Sequence, residues 1–258
     1  MLVETWKPLC GDNVRGFLEG LRSSGELGSD FPELQALYGF GGGSQGHKDL
    51  WDHTIRVTQA AKPTPEARLA ALWHDTGKPS SFSREHGKVT FHLHEGLSAK
   101  YFRDTMRRTG VFTGPSVALV SQVIYYLGYV ESYEGDWTDS AVRRLRVDIG
   151  DQVFLAAVDL ARVDVTSRHE SNRIRVQQRM DDLLKRSAEI VAQDSVKSPL
   201  PKGLGQSVMQ AFGLKPSPKV GSLLKYLEAA VENGLLEPQQ GDLYYVEYLK
   251  VNLDDLGL

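Results

Sequence analysis

The stretch ARLAALWHDTGKP, residues 67–79, sets the terms for the fold. Thr64-Pro65-Glu66 supplies a threonine N-cap and a proline at the first helical position. An apolar helix then runs to His74 and stops at Gly77 and Pro79. Ala67, Ala70 and Ala71 lie seven, four and three positions before His74, so the imidazole shares their small-residue face. Asp75 is about 100° further round, and it aims at the same point only because the helix is ending there. Two polar side chains at the end of an apolar face need a partner that holds both.

The preceding segment, HKDLWDHTIRVTQAA (47–61), is also spaced as a helix, closed by Lys62-Pro63. His53 stands one turn before Val57 and two before Ala60, on the apolar side. Packed antiparallel across the short Lys62–Pro65 turn, the two helices bring His53 opposite His74. A divalent cation such as manganese, zinc or iron accepts two imidazoles and a carboxylate and leaves positions for water. A further acid lies far downstream, in DQVFLAAVDLARVDVTSRHE (151–170). Asp164 comes four after Leu160, seven after Ala157 and eleven after Val153, on one apolar stripe. Buried and unpaired it would cost several kcal/mol. Its partner is either Arg168 at i+4, a pair worth a few tenths of a kcal/mol on an exposed face, or the metal, with Arg168 left for a phosphate oxygen. Periodicity alone does not choose Asp164 over Asp159.

Helical spacing dominates the rest of the chain. Helices are predicted over 13–23, 95–108, 115–126 and 139–149, with a helical turn from Phe31 to near Gly39 and a flexible break at GGGS (41–44). Residues 151–194 read as one long helix or two, and 81–94 as a loop or small hairpin. SPLPKGLG (198–205) has the composition of a linker. Beyond it come helical segments at 208–212 and 218–234, and LYYVEYLKVNL reads as a strand or a helix. The expectation is an all-α fold: a helical domain over residues 1–197 and a small C-terminal helical tail over 198–258.

No apolar run approaches the ~18 residues of a membrane span, and MLVETWKPLCGDN lacks the features of a signal peptide. The single Cys10 excludes an intrachain disulfide and suits a reducing compartment. With a net charge of -3, a cytoplasmic protein is expected. The charge is uneven, with Arg143, Arg144 and Arg146 in one cluster and Arg168, Arg173, Arg175, Arg179, Lys185 and Arg186 along a later segment. These read as a solvated face laced with acids or as a surface that tracks phosphates.

His53, His74-Asp75 within ALWHDTGKP and a late aspartate resemble the HD-domain metal-dependent phosphohydrolases. The likeness sharpens to the HD and tail regions of bacterial CCA-adding tRNA nucleotidyltransferases and poly(A) polymerases. GELGSDFPELQALYG, HKDLWDHTIRV, FHLHEGLSAKYFRDTMRRTGV, LARVD and GLKPSPKVGSLLKYLEAAVENG are similar to successive elements of that family, from about residue 25 to 235. The resemblance selects Asp164 over Asp159. It implies an HD-type helical bundle in which His53, His74, Asp75 and Asp164 hold a divalent metal (manganese, nickel, magnesium, iron or zinc). Asp75, Lys78, His94 and Arg168 would serve catalysis, with Lys78 and Arg168 on phosphoryl oxygens and His94 protonating the leaving oxygen. The implied substrates are nucleotide or RNA 3′-end phosphoesters, 2′,3′-cyclic phosphates and phosphomonoesters among them, with tRNA as a partner.

Two departures stand out. The family's nucleotidyltransferase head, with its Gly-Ser and paired-aspartate signature, has no counterpart here, so the chain is not expected to add nucleotides by itself. The helix VSQVIYYLGYVE also lacks the histidine that many relatives carry near Gly128, which leaves His94 for a second ion, a phosphate or proton transfer. His47, His86, His92 and His169 read as structural or exposed, His47 being the first exception. Two other readings compete: a tRNA- or RNA-binding module that partners a separate nucleotidyltransferase subunit, and a nucleotide-pool or alarmone hydrolase of the wider HD superfamily.

Overall fold

A computed structural model describes residues 1–41, 49–85, 88–165, 170–195 and 199–252. A 3-10 helix, Glu4–Cys10, precedes α1 (Val14–Ser23), α2 (Glu26–Asp30), α3 (Pro32–Gln35), α4 (Leu50–Ala60) and α5 (Pro65–Trp73). Next come α6 (Lys78–Ser81), the antiparallel hairpin β1 (Phe82–Glu85) and β2 (Lys88–Phe91), α7 (His94–Thr109), α8 (Ser116–Glu131) and α9 (Asp139–Ile149). The chain continues through α10 (Asp151–Val163), α11 (Glu170–Ser195), α12 (Leu204–Phe212), α13 (Pro218–Glu232) and α14 (Asp242–Val251). The protein is all-α, and the hairpin is the only sheet among the described residues. It divides into two compact units, Met1–Val191 and Ala192–Leu258. No helix among the described residues is long and apolar enough to cross a membrane.

In the first unit α8 packs along both α7 and α10, while α4 lies against α5 and α5 against α8. Aromatic rings fill the space under α5: Trp73 meets Trp6 at 5.9 Å and Phe102 at 5.7 Å between centroids, and all three are buried. The turn between α4 and α5 forms as its sequence predicts. Thr64 caps α5 by accepting from the Ala67 amide, and Pro65 occupies the first turn. The buried Arg68 guanidinium donates back to the Thr58 carbonyl and so ties α5 to α4.

Two segments depart most from the sequence reading, and two that it left open are decided. The first is the 3-10 helix at Glu4–Cys10, which the reading did not contain and which buries Trp6 and Leu9. The second is α8, which runs on to Glu131 instead of ending at Tyr126, with Gly128 inside it facing the Glu95 side chain of α7. A Cβ there would stand 2.4 Å from the Glu95 Oε1 of α7. Of the two alternatives for the 151–194 stretch, one helix or two, the structure has two. The stretch breaks at Asp164, whose φ of -78° and ψ of 52° take it out of α10. In the second unit LYYVEYLKVNL, open to a strand or a helix, falls largely within α14, although Tyr and Val favour strands. Tyr245, Val246 and Leu249 are buried at helical spacing against Leu204, Val208, Leu223 and Leu227, so tertiary packing decides. The expected helix start at His47 and most of the GGGS break lie outside the described residues.

Candidate metal centre

Four side chains from three separated parts of the chain meet at one point. His53 comes from the middle of α4, His74 is the C-cap of α5 with Asp75 just beyond it, and Asp164 is the C-cap of α10. The two Nε2 atoms are 3.2 Å apart. His53 Nε2 lies 3.0 Å from Asp164 Oδ1 and 3.4 Å from Asp75 Oδ2. His74 Nε2 lies 3.4 Å from Asp75 Oδ2 and 3.4 Å from Asp164 Oδ2. Both imidazoles and Asp75 are buried, and the Asp164 side chain is only 11% exposed.

These spacings fit one cation. Donors about 2.1 Å from a common ion stand roughly 3.0–3.4 Å from each other in octahedral or tetrahedral arrangements. His53, His74 and Asp164 each offer a ligand atom, with all of these within 4.8 Å of one another. The tautomer is also right. A carbonyl can only accept, so the 2.7 Å contact between His74 Nδ1 and Ala71 O makes Nδ1 the donor and leaves the Nε2 lone pair facing the centre. In addition, Asp75 Oδ1 is buried without a hydrogen-bond partner among the described residues. A buried carboxylate oxygen left alone is costly, and a cation would satisfy it.

The electrostatics run the same way. Burial by itself would push the His74 imidazole down, but the carboxylates of Asp75 and Asp164 outweigh it and hold His74 well above its usual range. Burial would push Asp75 up. The His74 and Lys78 charges, with hydrogen bonds from His53 and His74, hold it well below the carboxylate range instead. Asp164 is likewise held down against its burial by His74 and His53. Without a cation, the cluster keeps its charge balance by retaining a proton on imidazole.

Around this core, Lys78 Nζ sits 2.7 Å from Asp75 Oδ2, one turn along the chain. Desolvation opposes its charge, but Asp75 raises the lysine above its ordinary value. His94, at the start of α7, donates from Nδ1 to the Phe91 carbonyl at 2.9 Å and turns Nε2 toward Asp75 Oδ1, 3.7 Å away. Gly77 brings α7 to the centre. Its φ of -77° is open to any residue, but a Cβ would fall 2.2 Å from the His94 carbonyl oxygen. The glycine of HDTGKP is therefore a close-approach residue. Its amide also donates to Ser98 Oγ at 2.8 Å.

Of the remaining sequence candidates, Arg168, His47, His86 and His169 lie outside the described residues, and Asp159 pairs with Lys62 away from the centre. Arg146, Arg179 and Arg186 of the basic segments engage Asp151, Glu134 and Asp139.

The sequence reading missed Glu131, at the end of α8. Burial, and then the Asp164 carboxylate beside it, push Glu131 well above the carboxylate range, and it stands next to the centre. Its signal is present in the sequence. Glu131 continues the buried stripe of Val120, Ile124 and Leu127, where an acid is out of place.

No protein-family model matches the chain. Among curated proteins it is 28% identical, over 229 residues, to an A-adding tRNA nucleotidyltransferase of Deinococcus radiodurans, covering 85% of this chain and 50% of that protein. It is 29% identical, over 227 residues, to a CC-adding tRNA nucleotidyltransferase of Thermus thermophilus, covering 83% of this chain and 48% of that protein. The chain spans about half the length of these relatives.

Proposed function

We propose that this chain is an HD-type, metal-dependent phosphohydrolase that acts on nucleotide or RNA-end phosphoesters, in the cytoplasm and in the setting of tRNA processing. The observation that carries the reading is the convergence of His53, His74, Asp75 and Asp164, with the two imidazole nitrogens 3.2 Å apart and 3.0–3.4 Å from the carboxylate oxygens, and with Asp75 Oδ1 lacking a hydrogen-bond partner among the described residues. These four residues would hold a divalent ion. Such an ion supplies Lewis acidity, making a water nucleophilic near neutral pH and drawing charge from a phosphoryl oxygen. The chain's own groups do the rest. Lys78 keeps Asp75 ionised and places positive charge at the rim, where it offsets charge growing on the phosphoryl oxygens. Arg168 is the second cation proposed for that task. His94 is fixed by the Phe91 carbonyl, and in its protonated form it delivers a proton from Nε2 to the leaving oxygen. Similarity to tRNA nucleotidyltransferases supports an RNA terminus over a free metabolite as substrate.

The test is hydrolysis of 2′,3′-cyclic nucleotides and phosphomonoesters by the purified protein with manganese, nickel or magnesium, alongside Asp75→Ala. Metal-dependent turnover that vanishes in the variant supports the reading, and turnover unchanged in Asp75→Ala rejects it. A second reading, a tRNA-binding module that works with a separate nucleotidyltransferase, is favoured by the likeness over 85% of the chain to enzymes named for tRNA. Tight, salt-sensitive tRNA binding with no turnover of any ester would select it.

A further inference from the structure

A cavity of about 300 Å³ abuts the metal centre on its His53 side. Its wall includes Val163 and Val165, the neighbours of Asp164 in the chain, and three guanidinium side chains: Arg56 of α4, Arg162 of α10 and Arg173 of α11. Among the described residues no carboxylate lines it. Arg162 pairs with Asp181 at 2.7 Å, and Arg56 Nε donates to the Asp52 carbonyl at 3.2 Å. Arg56 and Arg173 are exposed and open the cavity to solvent. The guanidinium groups place positive charge along one concavity, which favours an anion there. Guanidinium is also the side chain best matched to phosphate oxygens.

We infer that this cavity is a subsite for a second phosphate of the same substrate, namely the phosphodiester adjoining the terminal group presented at His53. The inference rests on the phosphohydrolase reading for what lies at His53, and it narrows the substrate from nucleotides in general to an RNA strand end. A strand fits the arrangement because the arginines come from three helices and extend from the buried His53 to open solvent, as a strand leaving the centre would. The polyphosphate tail of a nucleoside triphosphate carries the same chemistry and is the competing source.

The experiment compares wild type with Arg56→Ala, Arg173→Ala and the two lysine variants, using the whole chain. Binding of a fluorescent short oligoribonucleotide is followed by anisotropy over a range of salt. Turnover is measured on that oligonucleotide with a 2′,3′-cyclic end, on a mononucleoside 2′,3′-cyclic phosphate and on a nucleoside triphosphate. Each alanine variant is expected to weaken oligonucleotide binding roughly tenfold and to lower the slope of log K against log salt by about 0.7. The lysine variants should keep most of that slope, and mononucleotide turnover should not change, which also shows that the variants are folded. The inference is overturned if oligonucleotide and mononucleotide suffer equally, if neither binding nor slope moves, or if the triphosphate alone loses turnover. Should wild type hydrolyse nothing, the phosphohydrolase reading fails, while the anisotropy arm still decides whether the arginine cavity takes RNA.

Discussion

His53 and His74 sit on consecutive helices and face each other nitrogen to nitrogen, Nε2 to Nε2, at 3.2 Å. Two neutral imidazoles presenting lone pairs at that distance repel, so the pair calls for a cation or a proton between them. Replacing either with alanine is expected to lower divalent-ion affinity by more than the ~10–100-fold that outer-shell substitutions cost. Elemental analysis reads the loss directly. Thermal unfolding gives a second readout, because an ion at 100 times its Kd stabilises the folded protein by about 2.7 kcal/mol. Wild type should show that rise in Tm, and His53→Ala and His74→Ala should not.

The pH behaviour follows from the directions of the shifts. In the ion-free protein Asp75 and Asp164 are held low, so their stabilisation is present above the ordinary carboxylate value of about 3.9 and is lost as pH falls below it. His74 is held high. Its stabilisation is complete below the ordinary imidazole value of about 6.5 and is lost as pH rises through its folded-state value. With chelator present, Tm should therefore peak between these two limits and fall on the alkaline side. Metal must displace the His74 proton, so binding releases protons and apparent affinity climbs with pH. Calorimetry in buffers of different ionisation enthalpy measures that release, and a pH-independent affinity would contradict the assignment.

Gly77→Ala adds one methyl group 2.2 Å from the His94 carbonyl and 2.9 Å from Leu97 Cβ. Overpacking of this kind costs about 1–3 kcal/mol. Here the relief available is a shift of α7 away from Asp75, which carries His94 with it. The expected result is a lower Tm together with a loss of hydrolysis larger than the stability change explains, measured at a temperature where the variant remains folded.

Glu131, its carboxyl pushed up by burial and by Asp164, is expected to fold in its neutral form, and Glu131→Gln replaces it with a neutral amide of similar shape. The ion-free protein should barely notice, with Tm close to wild type. Glu131→Ala leaves the Asp164 carboxylate without that neighbour and should cost about 1 kcal/mol. If the Gln variant is as destabilised as the Ala variant, Glu131 is ionised in the folded protein.

The local sequence carried much of this arrangement. Thr64-Pro65 fixes where α5 begins, and the alanine face before His74 fixes which way the imidazole looks. The Val153–Ala157–Leu160 stripe likewise points Asp164 inward. What could not be read depends on partners remote in the chain. A glycine at 128 looks like a place to end a helix until Glu95 is seen occupying the room it leaves. With α8 cut short at Tyr126, Glu131 had no stripe to belong to. The break after α10 has a similar origin. Nothing near residue 164 stops a helix, and it ends there with its carboxylate among two imidazoles from elsewhere.

His74 and Asp164 are both C-caps, so α5 and α10 each direct a carbonyl end, worth about half a negative charge, at the same spot already occupied by two carboxylates. In the ion-free protein the His74 and Lys78 charges balance those carboxylates, so the two helix ends add a negative potential of their own, which a cation would relieve. Steady-state kinetics should show the metal as an essential activator whose omission no excess of substrate can overcome.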